Sequence, residues 1–263
     1  MAFTRKYENQ SQSGPSGRLW SGFDMQRYID EGAAYCSAYM YEDFTSINKS
    51  GTVGAADWCI DETDATADAT LTAVADVGHV LRLEVDTTDD IEIWAIRGGS
   101  QGGAFNIDTN NGELWWECRY RQSSIADDTS IMLGIGGIAA AGDDKLQTDD
   151  TGAPVLSFLG FNTLTADGDA LLFTHGTTGT NVALISPAQV PVASTFYKVG
   201  IHFDGKTTVT AYVDNVPNAT TVEVSATSFP NGLALAPTFA SRLGDALTQT
   251  LDIDWVKCAQ LRP

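Results

Sequence analysis

The chain has 263 residues and a formal net charge of −19, with 34 acidic side chains against 15 basic ones. So negative a body repels phosphate backbones and anionic lipid surfaces, which argues against nucleic acid and membrane as partners. Asp (25), Gly (25) and Thr (29) are abundant and poor in helix interiors, while 43% apolar residues supply a real core, so composition excludes both a mostly helical fold and a disordered chain.

The first 18 residues are polar and aperiodic, with Gln10-Ser11-Gln12-Ser13-Gly14-Pro15-Ser16-Gly17 at their centre. Arg5, Lys6 and Arg18 stand there against Glu8 alone, so the stretch is positive on a negative body. It reads either as a flexible tail or as an arm that orders on a partner surface. No apolar stretch follows the basic residues of Met1 to Glu8, so the expected place of synthesis is a cytoplasm. Asp24 to Gly32 then reads as one short helix, with Met25, Tyr28 and Ile29 at helical spacing and Gly32 as its stop. We place the arm and helix in residues 1–38 and a single sandwich domain in 39–263.

From Tyr39 onward the hydrophobic period is two. Leu81, Leu83 and Val85 alternate with polar neighbours, as do Leu114, Trp116, Cys118 and Tyr120, then Tyr197, Val199, Ile201 and Phe203, and finally Leu251, Ile253 and Trp255. Such alternation belongs to half-buried antiparallel strands. Turn clusters such as Asp204-Gly205-Lys206 and Asp214-Asn215-Val216-Pro217 separate the runs. The expected fold is all-β: a two-sheet antiparallel sandwich with an N-terminal arm and one short helix. The longest weakly polar run, Ile131 to Gly142, is too short for a bilayer span of about 20 residues and holds four glycines. Cys36, Cys59, Cys118 and Cys258 are widely spaced, with no CxxC pair, and read as free thiols used as small apolar side chains.

Phe196 to Gly205 followed by Thr208 to Asn215 resembles the paired late strands of concanavalin A-like (laminin G-like) jelly rolls, with Asn215 where that family often has Gly. Thr250 to Val256 resembles the closing strand that returns beside the first, here Tyr39 to Phe44. With Glu42-Asp43-Phe44, Leu114 to Tyr120 and Leu133 to Gly137, the chain resembles virion structural proteins of tailed bacteriophages over about residues 39–260. The resemblance implies a jelly roll that decorates a capsid or forms part of a tail.

Enzymes sharing this sandwich hydrolyse glycans with a strand-borne ExDxxE-like motif, which needs two carboxylates about 5–5.5 Å apart in the retaining case. The nearest matches, Asp252-Ile253-Asp254 and Asp90-Ile91-Glu92, lack the complete triplet, and Lys257 stands where a third acid would be wanted. Asp252 and Asp254 are therefore expected on a solvated strand face. No cofactor is expected, although Asp86, Asp89 and Asp90 offer the oxygen ligands that Ca²⁺ prefers, without regular spacing. Trp115 and Trp94 point away from their strands' apolar partners, and Trp115, beside Glu117, Arg119 and Arg121, is the best surface candidate. The expectation is a non-enzymatic capsid decoration or cement protein on the virion surface. Its contacts would come from Arg5, Lys6, Tyr7, Arg18, Trp20 and Trp115, its partners would be the major capsid protein or other virion proteins, and the chain would form a homotrimer. A carbohydrate-binding or host-adhesion module is the alternative, and a glycan hydrolase a third reading.

Overall fold

An extended chain sends successive side chains to opposite faces, so each apolar run of period two has one face to bury. In the computed structural model, which describes residues 14–50, 57–62, 68–74, 78–85, 92–98, 105–125, 129–137, 156–163, 170–177, 183–243 and 248–263, these runs form two stacked sheets. One has eight strands, in the spatial order β15 (Val216–Glu223), β14 (Thr208–Val213), β13 (Tyr197–Phe203), β8 (Leu114–Gln122), β17 (Gln249–Leu261), β5 (Gly78–Val85) and β4 (Asp68–Val74), with β1 (Cys36–Glu42) also paired to β17. The other has nine, in the order β12 (Ala183–Gln189), β11 (Leu171–Gly176), β10 (Phe158–Thr163), β9 (Thr129–Gly137), β16 (Ala234–Leu243), β6 (Glu92–Arg97), β3 (Trp58–Glu62) and β2 (Lys49–Ser50), with β7 (Phe105–Asn106) also on β16. Among the described pairings only β2 with β3 is parallel. Trp58, Trp116, Tyr120, Phe161, Phe173, Phe203 and Phe239 fill the space between the sheets.

The closing strand lies beside the first, as expected. β17 bonds to β8 along one edge and, along the other, to β5 through Gln249–Ile253 and to β1 through Val256–Leu261. The first strand runs over Cys36–Glu42 rather than Tyr39 to Phe44. Phe44 turns to a positive φ of 52°, leaves the ladder, and buries its ring against Trp58. The short helix α1 (Met25–Glu31) begins at Asp24, whose carboxylate accepts the Arg27 N–H at 3.0 Å, and stops at Gly32 with φ 54°. The β14–β15 hairpin turns on Asp214 and Asn215, both at positive φ, as a two-residue turn with right-twisted strands requires.

The outer face of the eight-stranded sheet is not a solvated one. Asp252, 1% exposed, stands in register between Arg82 and Arg121. Arg82 donates Nε to its Oδ1 at 2.7 Å and Nη2 to its Oδ2 at 3.0 Å, and Arg121 donates to Oδ2 from the other side. Asp254 is held by Arg119, and the Arg119 and Arg121 guanidinium groups lie 4.1 and 4.7 Å from the Phe196 ring centre. The expected solvated face at Asp252 and Asp254 is thereby corrected: both carboxylates are buried and committed to arginines. Removing one partner of such a set leaves buried charge uncompensated, so Asp252→Ala should lower stability by about 3 kcal/mol in urea unfolding. A loss under about 1 kcal/mol, the value of exposed pairs, would contradict this account.

Candidate functional site

Each sheet has an outer face, and the two are built differently. On the eight-stranded sheet one end of the outer face is covered by the chain's own N-terminal segment. Leu19, Trp20, Phe23 and Tyr35 pack on Trp115, Cys36 and Ala259, with Tyr28 and Tyr39 at the margin. Trp115 stacks with Trp20 at 6.4 Å between ring centres and with His202 at 5.1 Å. Beneath lie two charged residues paired in register, Glu117 and Lys257. The Glu117 carboxylate accepts the Ser16 N–H at 3.0 Å and the Trp20 indole N–H at 2.7 Å, while the Lys257 ammonium sits 3.8 Å from the Trp20 ring centre. Burial raises the Glu117 carboxyl, against the bonds from Ser16 and Trp20, and burial lowers Lys257 from 10.5 to about 8, against the charge of Glu117.

Trp115 is therefore not the open surface residue that its position on the strand predicts; it is fully buried beneath Trp20. The signal in the sequence was correct about direction, since Trp115 does face away from the core, but facing outward is not the same as facing water. Arg18 is exposed, with its backbone N–H on the Asn215 Oδ1 at 2.8 Å. Arg5, Lys6 and Tyr7 lie outside the described residues, as do Asp86, Asp89 and Asp90. Among the described residues no group of three or more His, Cys, Asp or Glu is placed to hold a metal ion, and no helix is long and apolar enough to cross a membrane. The four cysteines are buried thiols.

The outer face of the nine-stranded sheet gathers a second set of polar and aromatic side chains, likewise closed off from water. Cross-strand register lays out three adjoining rows. The first runs Thr174, Gly160, Gly134, Thr238, Ile96, Cys59. The second runs Leu172, Asn162, Met132, Ala240, Trp94. The third sets Arg242 directly opposite both Glu92 and Ser130. A Cβ on Gly134 or Gly160 would collide with the facing backbone and with the Phe158 ring, so the two glycines make room for that ring, which covers them. Glu92, Asn162, Thr174, Thr238 and Arg242 are all buried here, beside Trp94. Among the described residues the Thr174 hydroxyl has no hydrogen-bond partner. An aromatic plane, an amide, two hydroxyls and a facing acid and base share one rigid sheet; Glu92, Trp94, Asn162 and Arg242 all have partners within the chain, and the Thr238 hydroxyl donates to the Ala236 carbonyl at 2.9 Å. Sequence reasoning singled out Trp94 and Glu92 separately; Arg242, Asn162 and Thr174 carried no signal, because only the strand order of the sheet brings them together.

No family model matches the chain, and no curated protein matches it. Solved structures do match in fold. A protein of unknown function from Shewanella oneidensis MR-1 aligns with a TM-score of 0.56 at 12% identity, covering 85% of this chain and 86% of its own. A glycoside hydrolase family 16 endo-glucanase from Bacteroides ovatus aligns at 0.53 and 14% identity, over 83% of this chain and 99% of its own. A carbohydrate esterase of the Shiga toxin-encoding bacteriophage phi24B aligns at 0.50 and 12% identity, over 87% and 99%. The fold is the concanavalin-like jelly roll that the late strands led one to expect. These likenesses also correct the expectation of a non-enzyme. The same sandwich, matched across most of its length, carries hydrolase and esterase activity in other proteins, so an incomplete acidic triplet on one strand is no ground for excluding catalysis.

The buried lysine gives this region a pH signature. Lys257 titrates lower in the folded chain than in the unfolded one, so its charge costs stability below pH 8, and the cost fades as pH rises from about 8 toward 10.5. At 1.36 kcal/mol per pH unit the full difference is at most about 3 kcal/mol. Lys257→Met removes this dependence, so the variant's urea-unfolding advantage over wild type should shrink by about 1–3 kcal/mol between pH 7 and pH 10. A difference that stays constant across that window would show that the ammonium is not desolvated.

Proposed function

We propose that this chain is a glycan-recognising jelly-roll protein of a tailed-bacteriophage virion, with its ligand face on the outer side of the nine-stranded sheet. The observation that carries the reading is the gathering of Trp94, Glu92, Arg242, Asn162 and Thr174 in neighbouring cross-strand rows beside Gly134 and Gly160. These side chains are buried and, the Thr174 hydroxyl aside, already partnered within the chain, so a sugar ring would have to displace those partners to stack on Trp94, meet Asn162 and the Thr174 hydroxyl, and reach Glu92 and Arg242. Shielding from bulk water strengthens each of these bonds, and it also slows entry. The fold's use by glycan-acting proteins supports the reading by analogy, and the phage origin of one of them agrees with the virion resemblance of the sequence.

The test is a glycan array with the full chain, followed by titration of the best ligand against Glu92→Gln and Trp94→Phe, and an assay for released reducing ends or acyl groups. Each variant should bind about tenfold more weakly, the equivalent of about 1.4 kcal/mol. If the ligand is also cleaved, Glu92→Gln should stop the cleavage. Absence of both binding and turnover across the array would overturn the proposal.

One observation favours a second reading, attachment to a capsid lattice through the basic residues 1–18. The root of that stretch is fixed to the sandwich, with the Ser16 N–H on Glu117 and the Lys198 ammonium on the Gly14 carbonyl at 3.2 Å, so whatever it grips would be coupled to the body without slack. Here the major capsid protein is the partner, and deletion of residues 1–13 should abolish co-sedimentation with particles while leaving thermal unfolding unchanged.

A further inference from the structure

The cover on the eight-stranded sheet is bound in the manner of a ligand. The stretch Ser16–Phe23 adds no strand to either sheet, and it meets its receptor at three separate strands, β8, β13 and β17, and one turn. Gly200 on β13 leaves a hole for Leu19, since a Cβ there would lie 2.3 Å from the Leu19 Cδ2. Glu117 on β8 reads the Ser16 amide and the Trp20 indole. Lys257 on β17 lies over the Trp20 ring, and Trp115 stacks beneath it. Asn215, at the β14–β15 turn, accepts the amide N–H groups of Arg18 and Leu19 at 2.8 and 3.3 Å, capping the single 3-10 turn Leu19–Gly22 from outside. Hole, charge, aromatic plane and cap are all complementary to one short sequence, Ser-Gly-Arg-Leu-Trp.

We propose that this face is a sequence-reading peptide site, filled here by the chain's own segment and able to take the same segment from a second copy. The tether permits it: of residues 24–35, which join Phe23 to β1, Tyr35 alone is buried, and α1 has no buried residue. An intramolecular segment competes at an effective concentration in the millimolar range, so exchange is expected where copies are held close together or where the resident segment is weakened. The site is independent of the ligand face on the other sheet.

The test uses full-length chain carrying Trp20→Ala, with Leu19→Ala as a second weakened form, titrated calorimetrically with a synthetic peptide of residues 13–24. Both variants should bind the peptide at least about tenfold more tightly than wild type does, because the wild-type site is already occupied. Adding Gly200→Ala should abolish that binding by filling the Leu19 hole. Equal binding to wild type and variants, or no binding to a variant that still unfolds cooperatively, overturns the proposal. So does loss of cooperative unfolding in both variants, since the segment would then be part of the core and not a ligand.

Discussion

Burying a polar group is costly unless it is hydrogen-bonded, and that constraint governs both outer faces of this sandwich. A two-sheet stack has one interior, yet strand periodicity sends half of every strand's side chains the other way. In an ordinary sandwich water receives them. Here Asp252, Glu117 and Lys257 on one sheet, and Glu92 and Arg242 on the other, are withdrawn from water as thoroughly as core residues. Their partners therefore decide what the faces can do. Where the partners lie within the sheet, as with Asp252 between Arg82 and Arg121, the result is a cross-strand brace. Where they come from elsewhere in the chain, as with Glu117 and the Trp20 indole, the result is recognition.

This division separates three roles on one scaffold. The arginine–aspartate brace stiffens the middle of the eight-stranded sheet, close to the point where β17 exchanges its neighbour β5 for β1. The neighbouring end of the same face holds the N-terminal segment. The opposite sheet buries its polar and aromatic groups beside two glycines that the Phe158 ring covers, the arrangement from which the glycan reading is drawn. Fold likeness alone would not choose among these faces, because jelly rolls with different activities share the same two sheets.

Much of the architecture could be read from the residues. Alternation at Leu114, Trp116, Cys118 and Tyr120 gave β8 its inner face, and the Asp24 and Gly32 signals bounded α1 within a residue. Asp214-Asn215 marked the hairpin, although nothing local revealed that Asn215 also caps a turn nearly 200 residues away. The misreadings at Trp115, Asp252 and Asp254 share one cause. Period two reports which face a side chain takes and says nothing of what lies above that face. The cover over Trp115 comes from a stretch opening with Ser16 and Gly17, whose polar composition resembles a tail. The candidate ligand face was legible only in fragments, since Thr174 and Arg242 become neighbours of Trp94 through a strand order set by crossovers and not by local sequence.

The sulfur atoms of Cys118 and Cys258 are sealed between the sheets, and burial raises both thiols well above their usual range. Neither can react as a thiolate while the layers remain together. A thiol reagent reaches them only when the two layers separate, so its rate of uptake times the opening of the whole sandwich rather than the fraying of an edge. The molecule thus carries an internal clock for its own disassembly, readable at its native cysteines with no label engineered into the chain.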